Sequence, residues 1–327
     1  MKSRFALTMG DPCGIGPEII LKALKNHPDL YNHGHPVVVG DKSIFLSLMQ
    51  NLGIQMEIMD FTPDKQINPD PDHLYCLDLG LPPHKPEIGQ ITAAGGRYAY
   101  TAIKKAIECT VRKIFSAIVT APINKEALQL AKVPYLDHTE ILTRLTNSVD
   151  TMTLFVTGPL RVFFYSRHIP LRDVAASLSA EQLYTAIMNS CRYLEQIGIA
   201  RPRLAVAALN PHGGEQGMFG DEELKFLFPA VERARNRAQQ VFGPIPADSV
   251  FHLAKEGTYD AVLSLYHDQG HIATKTLDFH RTVSLTMGLP FLRTSVDHGT
   301  ALDIAGTGKA SEISMVEAVK AAASYAW

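Results

Sequence analysis

An α/β fold of two lobes is what this sequence predicts, on three observations. Short apolar runs alternate with longer segments of helical periodicity. Several runs end in turns that carry His, Asn, Asp or Gly, the usual arrangement at the carboxyl edge of a parallel sheet. The chain's 327 residues also exceed what one small hydrophobic core organises.

The first run, residues 5–9, reads as a strand. It breaks at Gly10-Asp11-Pro12, and a helix starts at Pro17, where proline suits the first turn and Glu18 the positive end of the helix dipole. Ile19, Ile20, Ala23 and Leu24 give that helix its apolar face. Further strands are expected at 37–39, 117–120, 153–156, 162–165, 204–209 and 261–266. Helices are expected at 92–113, 180–197, 221–238 and 311–325. Residues 68–90, rich in Pro, Asp and His, read as irregular surface, and Gly243-Pro244-Ile245-Pro246 as a turn rather than a linker. No repeat, low-complexity tract or Gly/Ser linker interrupts the chain.

Composition narrows the function. Hydrophobic residues make up 46% and charged residues 20%, and the formal net charge is -2, so no basic surface calls for nucleic acid. No stretch approaches the roughly 20 apolar residues of a membrane span, and the N-terminal residues do not form a signal peptide. Four scattered cysteines give no CxxC pair or disulfide spacing, and a reducing cytoplasm is the expected setting.

The densest chemistry lies where strands end. One run leads through Ser166 and Arg167 to His168, another through Asn210 and Pro211 to His212, and a third directly to His267. Three imidazoles delivered to one sheet edge could hold a metal with open positions for water or substrate. A single histidine among 13 is ordinarily a surface or hydrogen-bonded residue; the shared context singles out these three. His27, His33, His35, His73 and His84 read as surface residues. Asp268 could orient a ligand histidine or cap the next turn, and His271 ranks behind His267 as a ligand. For an anion, the candidates are Lys275, Arg293 and the His138-Thr139 pair at a helix start, although a threonine there is also an ordinary cap.

The opening GDPCGIGPE is neither GxGxxG nor a P-loop, which argues against a Rossmann enzyme. The run Asp297-His298-Gly299-Thr300-Ala301-Leu302-Asp303-Ile304-Ala305-Gly306-Thr307-Gly308 instead resembles the nucleotide loop of isocitrate and isopropylmalate dehydrogenases. Small residues there let the backbone approach a cofactor, and His298 can stack on or bond an adenine.

Taken in order, GDPCGIGPE, TAPINK, DHTE, the strand ending at His168, NPHGGE, YHDQGH and the run from Gly288 to Lys309 resemble the 4-hydroxythreonine-4-phosphate dehydrogenase family from about Phe5 to Ala323. The resemblance implies two α/β lobes of the isocitrate/isopropylmalate dehydrogenase kind around an active-site cleft. Residues 1–126 with 280–327 would form the first lobe and 127–279 the second. It implies a divalent metal (Zn, Co, Ni, Fe, Mn or Mg) on His168, His212 and His267, shared between the subunits of a homodimer. Substrate would meet His138, Thr139, Lys275, Ser284 and Arg293, and NAD or NADP would meet Asp297, His298, Gly299, Thr300 and Asp303. Lys125 and Asp268 are candidates for the general base.

The implied reaction is oxidation of 4-phosphohydroxy-L-threonine, with metal-assisted ionisation of its hydroxyl, and decarboxylation to 3-amino-2-oxopropyl phosphate. Departures stand at Ser284, where the family usually has Asn, at Asp137, where it usually has Gly, and at Tyr135-Leu136. TAPINKEAL and the His-Ile after HDQG lean toward the branch acting on 4-phospho-D-threonate or 4-phospho-D-erythronate, which yields dihydroxyacetone phosphate. A further branch, acting on carboxylated aromatic cis-dihydrodiols, lacks parts of the His138 region. Two readings from other classes compete: a metal-dependent hydrolase or acyl transferase without nicotinamide, and a non-catalytic metal or metabolite binder. Neither explains residues 297–308.

Overall fold

A computed structural model describes residues 3–82, 85–237 and 239–327. It divides into two compact units: 1–151 with 289–327, and 152–288. His84, read above as a surface residue, lies outside the described residues.

The first unit begins with strand β1 (Arg4–Thr8), helix α1 (Gly16–Asn26), the short α2 (Leu30–His33), β2 (His35–Gly40) and α3 (Lys42–Leu52). It continues with β3 (Glu57–Asp60), β4 (His73–Asp78), α4 (Ala93–Val111), β5 (Ala117–Thr120), α5 (Lys125–Leu130) and α6 (His138–Leu145). The second unit holds β6 (Met152–Thr157), β7 (Leu160–Phe164), α7 (Ala180–Gln196), β8 (Arg203–Ala207) and α8 (Phe228–Arg235). After these come β9 (Gln240–Ile245), α9 (Ala247–Lys255), β10 (Ala261–Ser264), α10 (His267–Leu277) and β11 (Val283–Met287). The chain then returns to the first unit with β12 (Leu292–Val296) and α11 (Ile313–Tyr325).

Within the first unit the strand order is β3-β4-β2-β1-β5-β12, and every pairing is parallel. Parallel strands are covered on both faces, so they read as unbroken apolar runs. β1, β2 and β5 do so, and Leu7, Val38 and Val119 are as fully buried as Ala6, Val37 and Ile118. One face packs Val37, Val39 and Ile118 against Ile103 and Ala106 of α4. Helix starts follow local chemistry: Asp41 accepts from the backbone N–H of Ser43 and Ile44, and Thr92 from Gly95. Such caps satisfy donors that a helix cannot pair internally. Gly53, at φ 66°, closes α3.

The second unit orders its strands β11-β6-β7-β10-β8-β9. β6 pairs antiparallel with both β7 and β11, and the other pairings are parallel. Phe155, Val162, Phe164, Ala205 and Val262 form its core on one face with Val250 and Ala254 of α9.

The structure corrects several expectations. Residues 127–151, expected in the second lobe, pack with the first, because α5 and α6 lie against α4. Residues 280–288 move the other way, because β11 pairs with β6 residue for residue. The irregular surface expected at 68–90 contains β4, whose Leu74, Tyr75 and Cys76 are buried. The turn expected at 243–246 falls partly within β9, where Gly243 permits φ 131° and a register shift opposite Ala205 and Ala207 admits Pro244. The helix expected at 221–238 is a π-helical turn, Glu223–Leu227, followed by α8 ending at Arg235; Ala238 is outside the described residues.

Candidate functional site

In the second unit, β7, β10 and β8 lie side by side, and the chain leaving each carries one of the three strand-terminal histidines. His168 follows β7 and is exposed. His267, expected in a turn, is instead the first residue of α10, because its backbone turns helical straight after Tyr266. Its Nδ1 lies 2.6 Å from Oδ1 of Asp268. That bond keeps the Nδ1 proton in place and leaves Nε2 as an acceptor. The rings of His168 and His267 are 5.9 Å apart. Two imidazoles on one tetrahedral ion, each bonded at about 2.0–2.1 Å, put their centroids about 5 Å apart, so this pair stands near that spacing and slightly wide of it. His212 sits in a left-handed turn in which His212, Gly213, Gly214, Glu215 and Gln216 all have φ between 44° and 81°. Each non-glycine residue there costs about 1–2 kcal/mol, and such strain collects at functional sites. Among the described residues of the single chain, no three His, Cys, Asp or Glu side chains converge as a complete metal set.

His271 is buried one helical turn on, with ring centroids 4.3 Å from Phe155, 4.8 Å from Phe164 and 4.2 Å from His267. Burial, then electrostatic coupling to His267, Lys275 and Arg167, lower its pKa to about 4, against the opposing pull of Asp268. Arg167 donates to Thr153 at 2.7 Å, and Lys275 lies 5.0 Å from the ring centroid of Phe279. Ser284 is buried on β11, in register with Phe155.

In the first unit, His138 and Thr139 open α6. The cap is Asp137, whose carboxylate accepts the N–H of Glu140 at 3.0 Å. Its charge is thus used by the helix end rather than left free, and Thr139 is not needed as the cap. His138 Nε2 is shut from solvent and has no hydrogen-bond partner. Burial, then the positive charge of Arg293, hold this imidazole well below its usual pKa, while a bond to the backbone of Ala121 opposes them. A neutral ring with an unmet nitrogen is suited to a ligand. Arg293, 6% exposed, donates from Nε to Thr120 Oγ1 at 2.9 Å. Lys125 is exposed on the first turn of α5.

The segment 297–308 is also in the first unit. Thr300 is buried, its carbonyl accepting from Ile15 N at 2.9 Å. A Cβ at Gly14 would sit 2.8 Å from Thr300, so only glycine admits this approach. Ala301 takes φ 40°, followed by a 3-10 turn, Leu302–Ile304. Gly299 faces open space, Asp303 is exposed, and His298 places Nδ1 3.0 Å from the Gly299 carbonyl. Half-buried Asp297 precedes them. An accessible imidazole, a carboxylate and unobstructed backbone fit a dinucleotide.

Sequence reasoning missed what holds these segments. Glu18, read as a dipole partner, is buried and accepts the N–H of Gly306 and Ala310, both at 3.0 Å. One turn along α1, Lys22 donates to the carbonyls of Gly308 and Ala310 and pairs with Glu312 at 3.3 Å. The i, i+4 spacing was the available signal; its target, some 290 positions away, was not visible.

A two-unit α/β protein with a strand-end histidine group and a glycine-rich nucleotide-type loop falls in the class of dehydrogenases. Residues 32–322 match the family described as pyridoxal phosphate biosynthetic protein PdxA, and the chain belongs to that family. It is 46% identical over 325 residues to a Symbiobacterium thermophilum protein named "Putative D-threonate 4-phosphate dehydrogenase", covering 98% of this chain and 96% of that protein. The solved structure of 4-hydroxythreonine-4-phosphate dehydrogenase from Klebsiella pneumoniae matches with TM-score 0.91 and 39% identity, over 99% of both chains. A terephthalate 1,2-cis-dihydrodiol dehydrogenase from Burkholderia xenovorans LB400 shares the fold, with TM-score 0.69 and 24% identity, over 98% of both chains.

Proposed function

We propose that this protein is a metal- and nicotinamide-dependent dehydrogenase of 4-phosphorylated hydroxy acids, with 4-phospho-D-threonate as its preferred substrate. One observation carries the preference: the positive charges of Arg167 and Lys275 both bear on His271, with Asp268 acting in the opposite sense. A substrate ammonium would be repelled there, while a hydroxyl carries no such penalty. The relatives at 44–46% identity that bear the D-threonate name support the same choice. The second reading, 4-phosphohydroxy-L-threonine, is supported by the likeness to the Klebsiella structure.

In this reading His168, His212 and His267 hold a divalent ion, while Asp297, His298, Gly299, Thr300 and Asp303 hold NAD or NADP. Such an ion would supply Lewis acidity toward the substrate hydroxyl, and NAD or NADP would supply the two-electron oxidant. Asp268 keeps the His267 ring in the tautomer a ligand needs. Neutral His138 offers Nε2 to the substrate, and Arg293, Lys275, Thr139 and Ser284 bind its anionic and hydroxyl groups. Lys125 is the general-base candidate, since Asp268 is committed to His267. Oxidation beside the α-carbon leaves a β-keto acid, which loses CO2.

Imidazole ligands favour zinc, cobalt, nickel or iron over magnesium and manganese. No helix among the described residues is long and apolar enough to cross a membrane. We further assign a homodimer with the metal site completed by a second copy. The second unit exposes Leu171, Met218, Phe219, Leu224, Ile272 and Phe279, each close in sequence to one of the three histidines, and apolar side chains of this kind are what a second copy would cover if they form one patch.

The deciding experiment compares kcat/KM for the two acids, with NAD and NADP, in metal-loaded enzyme and a chelated control. At least tenfold preference for 4-phospho-D-threonate, with dihydroxyacetone phosphate as product, is expected. The reverse preference, with 3-amino-2-oxopropyl phosphate formed, establishes the second reading. Cofactor-independent turnover would instead point to a hydrolase or acyl transferase.

A further inference from the structure

The loop that carries His212 is fastened by a single buried carboxylate. Glu223, on the π-helical turn before α8, is 1% exposed. Its Oε1 accepts the backbone N–H of Leu209 and of Asn210, each at 2.8 Å. Its Oε2 accepts Asn210 Nδ2 at 2.9 Å, and the same amide reaches Glu222 at 2.7 Å. A Cβ on Gly214 would sit 2.9 Å from Oε2, so the turn beyond His212 closes directly over the same carboxylate. His212 itself has φ 52° and ψ 22°, a conformation that local propensity does not choose. The loop is therefore held from outside, with three donors upstream and a glycine contact downstream meeting at one side chain.

We propose that Glu223 is a positioning residue for metal binding: by fixing Leu209 and Asn210 it sets the aim of the His212 imidazole. The inference rests on the reading of His212 as a ligand. Glu223 need not touch the ion. Both of its oxygens act as acceptors, so an isosteric amide would turn a donor toward donors and release part of the loop.

The test is titration of chelator-treated full-length protein with Co2+, followed by calorimetry and by the visible absorption of bound cobalt, with far-ultraviolet circular dichroism as the check on folding. The proteins are wild type, Glu223→Gln, Asn210→Ala and His212→Ala. Support of this kind behind a metal ligand is typically worth about 10–100-fold in affinity. Glu223→Gln is expected to weaken cobalt binding at least tenfold and change the absorption band, with dichroism unchanged. Asn210→Ala, which removes only the side-chain arm, is expected to shift affinity the same way by less. Wild-type affinity in Glu223→Gln beside weakened binding in His212→Ala overturns the role of Glu223 and leaves the metal reading intact. Equal binding by wild type and His212→Ala overturns the metal reading, and this inference with it. Should Glu223→Gln fail to fold, Asn210→Ala decides, and unchanged affinity there overturns the proposal.

Discussion

His138 combines burial, a nearby guanidinium and an unmet nitrogen, and the sign of its effect on stability follows. The folded imidazole is held neutral, whereas in the unfolded chain it titrates near 6.5. Below that pH the unfolded state binds more protons, so stability falls as pH falls toward the folded pKa. Denaturation midpoints of wild type and His138→Gln, followed from about pH 7 to about pH 5, are expected to show the steeper loss in wild type. Parallel curves would mean that His138 is not held neutral. At this scale the sequence was informative where chemistry is local. That His168 and His267 lie near one another was legible from strands running into imidazoles, and the contact of Asp268 with His267 from their adjacency. Glu18 and Glu223 were not legible as anchors. Their roles exist only through backbone N–H groups of distant segments, and an N–H leaves no mark in a residue code.

Among the elements, the contact of α4 with α5 depends on one missing methyl group. A Cβ on Gly96 would collide with the carbonyl of Ala127. In an exposed helix, Gly→Ala stabilises by about 1 kcal/mol. Here the backbone must move, and overpacking of this kind costs about 1–3 kcal/mol. Gly96→Ala is therefore expected to lower stability by up to about 2 kcal/mol in urea denaturation, whereas a gain would show that α5 yields freely. The strands of the first unit were readable because parallel strands leave continuous apolar runs, as at β2 and β5. β4 escaped because its buried Leu74, Tyr75 and Cys76 lie between Asp and His residues that suit its exposed ends. β9 escaped because a sheet edge tolerates the glycine and prolines that elsewhere signal a turn.

For the whole molecule, the assignment of a second copy is open to direct test. Leu171 and Met218 are 72% and 76% exposed in the single chain, so placing Asp at both should change its own stability by within about 0.5 kcal/mol. In a dimer built on this face, the double substitution is expected to halve the mass seen by sedimentation and to weaken zinc binding together with it. An unchanged mass would remove the interface from this surface. The lobe count was legible from length, but the boundaries were not. They depend on β11 pairing with β6 and on which helix receives α5 and α6, and those choices are made by long-range pairing.

The route of the chain also sets an order on its synthesis. The second unit is one uninterrupted stretch, while the first is finished only by β12, whose Thr294 lies 174 positions after its partner Thr120 in β5. On a ribosome, which releases the chain from its N-terminus, the later unit can close on itself first. The earlier one waits with the edge of β5 unpaired, open to any strand that arrives before the right one. Premature termination within that window would leave a polypeptide with an intact middle and a sheet that has no way to seal.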